Sequence, residues 1–176
     1  GIFKYSAVSK VIDNSDPSIT NSVISIKVHR NVPITYNQVT RYNINLSNPI
    51  FISETPQESI ISTGFYVLNV SDQVCYIDDE PIPGSSEGKL RLFYRTIDQK
   101  VLIKYIGTVN YVTGLISIED LIITSSPSSY FTLIIKPGAT DVVSARNQIV
   151  SISPQLMKIN PIINRDADNY NFVRTI

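Results

Sequence analysis

Residues 101–119 have the sequence VLIKYIGTVNYVTGLISIE, which predicts two β-strands joined by a tight turn. Apolar and polar residues alternate in both halves, and a period of two is typical of a strand with one buried face. We expect the buried face to hold Val101, Ile103, Tyr105, Val109, Ile116 and Ile118. The opposite face of the second strand then carries Leu115, Ser117 and Glu119. The stretch therefore favours antiparallel β-structure.

The turn between these strands is predicted to depend on Asn110 and Gly114. Glycine adopts a positive φ at little steric penalty, and an asparagine side chain can bond to the backbone close to it. Both features suit a hairpin connection. We therefore interpret the two residues as a structural motif.

The composition of the whole chain also favours strands. Among 176 residues there are 28 isoleucines, with many Val, Thr and Tyr and few Ala and Leu. β-branched and aromatic residues are enriched in strands. A chain of this length buries roughly 70% of its unfolded surface, which is enough for a core without disulfides.

Charge and cysteine content argue against several classes of protein. Acidic and basic residues balance at 15 each, so no net field attracts nucleic acid or an anionic membrane. Cys75 is alone, which excludes an internal disulfide. No apolar run reaches the roughly 20 residues that span a bilayer. Because the chain starts at Gly1 rather than Met, we expect it to be a fragment of a longer protein.

Further strands are predicted from the same alternation. Apolar faces in them lead us to expect six buried residues: Ile24, Ile26, Leu90, Leu92, Leu133 and Ile135. The strands span Val23 to Arg30, Arg41 to Leu46, Gly64 to Val70 paired with Gln73 to Ile77, Lys89 to Arg95, and Tyr130 to Lys136. The predicted fold is all-β, an antiparallel β-sandwich or two packed small β lobes with long loops and little helix. Residues 1–176 form one domain in this interpretation, with candidate arms at 1–22 and 160–176.

Three features of the sequence resemble chemical sites, but a structural role explains each of them better. His29, the one histidine, lies on the polar face of its strand and has no partner in the pattern. Asp78-Asp79-Glu80 suggests calcium but matches no ligand spacing, and prolines follow it, so a solvated turn is expected. Residues 84–89, GSSEGK, lack the spacing of a phosphate-binding loop and lead into a strand. We predict no catalytic, cofactor-binding or metal-binding residues.

Three ordered stretches resemble the C-terminal region of the inner-ring baseplate wedge protein of T-even-like contractile-tailed bacteriophages, within the broader baseplate-J-like group. They are YNINLSNPI at 42–50 with IISTGF at 60–65, IGTVNYVTGLI at 106–116, and DVVSARNQIV at 141–150. The family usually has Asp where Asn110 stands and Pro where Ala145 stands. The resemblance covers roughly residues 20–155.

This resemblance implies a structural protein of the virion, located in the tail baseplate and assembled in the host cytoplasm, without enzymatic activity or cofactors. It implies other copies of the chain, as a dimer or ring, and other wedge proteins as partners. From the residues, Arg146 and Asn147 are predicted to satisfy backbone groups in an irregular segment. The segment after Asn160 supplies a candidate interface in Tyr170, Phe172 and Val173.

The sequence is also compatible with two other functions. One is a β-sandwich module that binds carbohydrate or a receptor, since the chain has ten Tyr although it has no Trp. Asn45-Leu46-Ser47 and Asn69-Val70-Ser71 also match the glycosylation acceptor pattern, which chance explains in a chain this rich in Asn and Ser. The other is an enzyme, which lacks a constellation of acid, base and nucleophile.

Overall fold

The structure is a computed structural model that describes residues 2–17, 19, 22, 24–53, 58–70, 72–139, 142–143 and 154–160. The predicted structural residues Arg146 and Asn147 lie outside this part of the chain. The candidate interface residues Tyr170, Phe172 and Val173 also lie outside it.

Twelve strands and one α-helix are present within the described residues. In chain order they are β1 (Ile2–Phe3), α1 (Tyr5–Asp13), β2 (Val28–Pro33), β3 (Thr40–Asn45), β4 (Ile60–Ser62), β5 (Tyr66–Val67), β6 (Cys75–Pro81), β7 (Glu87–Arg95), β8 (Lys100–Asn110), β9 (Leu115–Leu121), β10 (Ile123–Ser125), β11 (Tyr130–Ile135) and β12 (Val142–Val143). A 3-10 turn follows at Pro154–Leu156.

Eight strands form one antiparallel sheet in the order β2-β11-β4-β6-β7-β8-β9-β3. The sheet curls, and the ring of Tyr42 on the edge strand β3 meets Phe131 on β11 edge-on at 5.6 Å between centroids. Phe65 contacts Phe131 from the same interior at 5.4 Å. The all-β prediction is thus confirmed, and the side chains inside the curl form the hydrophobic core. We call the sheet face toward this core the inner face and the opposite one the outer face.

Two small sheets accompany the large one. β10 pairs with β5, where Ile123 lies opposite Val67 and both side chains are buried. β1 pairs with β12 through Phe3 and Val142. The helix α1 lies within the candidate N-terminal arm 1–22. At its end, the backbone N–H of Asn14 donates to the carbonyl of Lys10.

The buried residues of the central strands were predicted correctly, whereas those near the N-terminus were not. Leu90, Leu92, Leu133 and Ile135 are all fully or almost fully buried. Ile24 and Ile26 are half-buried, because their segment precedes β2 and has no partner strand among the described residues. The strand predicted at Val23 begins only at Val28.

The hairpin of residues 101–119 is present as β8 and β9, but the single face predicted for β8 is wrong. Leu90 pairs with Gly107 while Arg91 pairs with Tyr105, so Ile106 is an extra residue in the ladder. Such a bulge exchanges the faces of the residues on its two sides. It turns Tyr105 to the outer face, where its side chain is half exposed. A second shift at Ile103 restores the original alternation.

Candidate functional site

The predicted hairpin motif has the geometry that its sequence indicated. Gly114 has φ 73°, and its N–H donates to the Asn110 carbonyl at 2.9 Å. The Asn110 Oδ1 accepts from the backbone N–H and the hydroxyl of Thr113, at 2.9 and 3.0 Å. A Cβ on Gly114 would collide with the carbonyl oxygen of Asn48. Both conformation and space therefore require glycine here.

The acidic cluster of residues 78–80 is the largest departure from the sequence analysis. A solvated turn was expected, but the three residues continue the strand β6, and Asp78 and Asp79 are buried. Alternation along β6 places Asp78 on the outer face and Asp79 on the inner face. Each carboxylate therefore has its own set of partners.

On the outer face, Asp78 binds one cation from the neighbouring strand β7 and one from the next strand, β8. Arg91 donates to it from Nε and from Nη2, each at 3.0 Å, in the two-pronged geometry that suits a carboxylate. Lys100 also contacts Asp78, and its Nζ lies 2.9 Å from Oε1 of Glu58. Burial alone would raise the pKa of Glu58, but the contacts with Lys100 lower it below its ordinary value.

Aromatic rings extend this outer-face network. Phe93 is fully buried although it lies on the outer face, because the Tyr76 ring stacks on it at 5.7 Å. Lys100 Nζ lies 4.1 Å from the Phe93 ring centroid, and the Arg95 guanidinium lies 5.6 Å from it. Cations over an aromatic face are attracted to its π electrons. The Tyr105 hydroxyl donates to Glu80 at 2.7 Å, which raises the pKa of Tyr105.

On the inner face, Asp79 accepts three hydrogen bonds inside the core. Its Oδ1 accepts from the backbone N–H groups of Ser59 and Ile60 at 2.8 and 2.7 Å, and its Oδ2 accepts from the Tyr111 hydroxyl at 2.8 Å. Burial raises the pKa of Asp79, and the donated bonds oppose that rise. Burial and the Asp79 carboxylate both raise the pKa of Tyr111. The carboxylate thus connects the start of β4 to the turn after β8.

The absence of a side chain at Gly88 leaves the space through which the Tyr111 side chain reaches Asp79. β7 lies between β6 and β8, and a Cβ at Gly88 would lie within contact distance of the Tyr111 hydroxyl and ring. The phenol therefore crosses β7 over a residue without a side chain. Asp79, Tyr111 and Gly88 are not predicted as a unit, because local alternation carries no information about partners this far apart in the chain.

Cys75 and His29 belong to neither the Asp78 network nor the Asp79 network. Cys75 is a free thiol whose pKa is raised by burial. His29 is exposed on β2, as its position on the polar face predicted. No group of three or more His, Cys, Asp or Glu that could hold a metal occurs among the described residues. Within the same residues, no helix is long and apolar enough to cross a membrane.

An open groove of about 450 Å³ lies along the small sheet of β5 and β10, and we call it the β5–β10 groove. Its exposed apolar surface comes from Tyr66 and Leu68. Polar side chains complete the lining: Asn69, Asp72, Thr124 and Ser125. Asn69 and Asp72 both have positive φ, at 65° and 57°.

Comparison with known proteins adds no relative: no protein-family model, no curated protein and no solved structure matches the chain.

Proposed function

We propose that this chain is an assembly domain of the baseplate wedge in a contractile phage tail, which works by binding other protein chains. The supporting observation is that two of the stretches that resemble the wedge protein, distant in sequence, form one unit. Residues 42–50 lie along the turn after β8, where Leu46 N–H donates to the Gly114 carbonyl at 3.1 Å. Ile50 N–H donates to the Tyr111 carbonyl at 2.7 Å. Parts of a resemblance that fold together are more informative than separate matches.

This unit forms an edge of the large sheet. β3 pairs with β9 on one side and with no described strand on the other. The backbone groups on such an edge can pair with another chain. Beside it, Val112 and Leu115 are 63% and 45% exposed. We assign contact with other chains to this β3–β9 edge, defined as Thr40–Asn45 with Val112 and Leu115.

The polar network on the central strands supports a scaffold role in a different way. Asp78 is paired with both Arg91 and Lys100, and Asp79 accepts hydrogen bonds from donors within the core. Groups held this way fix the sheet's geometry. The proposed partners are other copies of the chain and other wedge proteins, and the proposed location is the tail baseplate of the virion.

The test is self-association measured by light scattering or sedimentation over a range of protein concentrations. Val112→Asp places a charge on the β3–β9 edge, and we expect it to weaken association about tenfold or more, as a charge does at a dry contact. Ile97→Asp is the matched control, because Ile97 is fully exposed in the turn between β7 and β8. It should associate as the unchanged chain does.

Two results would contradict the proposal. If the unchanged chain stays monomeric at every concentration and binds no other wedge protein, the assembly role is wrong. If association survives Val112→Asp with an unchanged constant, the β3–β9 edge is not the contact surface, and the segment that contains Tyr170, Phe172 and Val173 becomes the next region to alter.

A further inference from the structure

The β5–β10 groove gathers four polar side chains beside exposed apolar ones. Within the part of the chain that the structure describes, Asn69, Asp72, Thr124 and Ser125 form no side-chain hydrogen bond or ion pair. The charged residues on the outer face of the large sheet, by contrast, bind one another. The groove therefore has free hydrogen-bonding capacity gathered in one place.

The chemistry of the lining indicates the class of ligand. A carboxylate accepts two or more hydroxyl hydrogens, an amide both donates and accepts, and a hydroxyl does either. Beside these groups, Tyr66 and Leu68 offer an apolar surface that is 36% and 50% exposed, respectively. A ligand that contacts both the polar side chains and the apolar surface must carry many hydroxyl groups and also an apolar face of C–H groups. Sugars have this combination.

The charge and the volume of the groove restrict the class of ligand further. Asp72 is the charged member of the groove lining and no Lys or Arg belongs to it, so an anionic ligand would meet repulsion without compensation. The volume of about 450 Å³ lies within the range of about 300–1,000 Å³ typical of small-molecule sites. We propose that the β5–β10 groove binds a neutral saccharide, with Tyr66 under the sugar ring and Asp72 accepting its hydroxyl hydrogens. The site shares no residue with the β3–β9 edge, so it is independent of the assembly role.

The experiment begins with an array of neutral, sialylated and sulfated glycans, followed by calorimetric titration of the chain with the neutral glycans retained. Tyr66→Ala and Asp72→Gly should each weaken binding about tenfold or more, the effect of losing a ring contact or a hydrogen bond to a charged group. Glycine at position 72 keeps the positive φ without strain. Thr124→Val removes a hydroxyl at nearly constant volume and should weaken binding less.

Matched controls separate loss of the site from loss of the fold. Tyr130→Ala alters a strand tyrosine with similar exposure, and Asp98→Gly alters an exposed turn aspartate, so both should bind as the unchanged chain does. The proposal is overturned if no neutral glycan is retained. It is also overturned if only sialylated or sulfated glycans bind, or if folded Tyr66→Ala and Asp72→Gly keep full affinity.

Discussion

Replacing Asp79 by alanine is expected to destabilise the chain severely, because three buried donors lose their acceptor at once. These are the backbone N–H groups of Ser59 and Ile60 and the hydroxyl of Tyr111. A buried donor left unpaired costs about 1–3 kcal/mol, and removal of the buried charge offsets part of the sum. We expect a loss of about 3–5 kcal/mol, which corresponds to about 10 °C in Tm for a chain of this size.

Asp79→Asn separates the hydrogen bonds from the charge. The amide keeps an oxygen for the two backbone donors, and its NH2 can donate to the Tyr111 oxygen. We expect the variant to lie within about 1 kcal/mol of the unchanged chain at neutral pH. Tyr111→Phe removes one hydrogen bond to a charged group and should destabilise by about 1.5–3 kcal/mol.

The pH dependence has a definite sign. Since burial raises the pKa of Asp79 in the folded chain, the folded state binds its proton more tightly than the unfolded state does. The unfolded value is about 3.9, so Asp79 contributes stability below that pH and loses it as pH rises through the folded pKa. Asp79→Asn lacks this contribution. Its stability relative to the unchanged chain should therefore improve as pH rises from the acid range.

Denaturant unfolding of the three variants and the unchanged chain, monitored by circular dichroism between acid and neutral pH, measures all of these quantities. A loss below about 1 kcal/mol for Asp79→Ala would refute the claim that the carboxylate holds three donors. A relative stability of Asp79→Asn that worsens as pH rises would refute the sign of the pKa shift.

Other expected outcomes concern packing, turn geometry and the C-terminal segment. Gly114→Ala should lower the unfolding free energy by about 2 kcal/mol or more, since both positive φ and a backbone collision oppose it. Gly84→Ala, with φ 72° and open space around it, is the control and should lose only about 1 kcal/mol. Leu92→Ala should lower the unfolding free energy by about 2–5 kcal/mol, and Ile24→Ala should lower it clearly less, because Ile24 is only half-buried. Thermal unfolding measures both losses, and equal losses would contradict the burial pattern. If the β3–β9 edge carries the contact, as proposed, deleting residues 161–176 should leave the mass in light scattering unchanged, and a lower mass would place the contact in the deleted segment.

The alternation of apolar and polar residues predicted the buried residues correctly in strands that contain no extra residue. It succeeded for Leu90 and Leu92 on β7 and for Leu133 on β11. It failed at Tyr105, because one extra residue in β8 exchanges the two faces and nothing in the local pattern marks a bulge. The periodicity of one strand does not show how its residues pair with those of the partner strand.

The failure at Asp78 and Asp79 has another cause. Adjacent aspartates before a proline favour a turn when only neighbours along the chain are considered. Their burial depends on Arg91 and Tyr111, which arrive from β7 and from the turn after β8. A buried charge is tolerated only with such partners, and the partners become apparent only in three dimensions. The β5–β10 groove escaped prediction for the same reason, as it joins two distant segments.

The strand order of the large sheet also has a consequence for the route by which the chain folds. Four central strands, β6 to β9, follow one another in both sequence and space, whereas β2 and β3 stand at opposite edges. Contacts close in sequence form faster than distant ones, because less chain must be ordered before they are made. Residues 75–121 should therefore acquire hydrogen-exchange protection first during refolding, and both edges should be completed last. A chain still being synthesised would hold its N-terminal strands unpaired until β9 and β11 had left the ribosome.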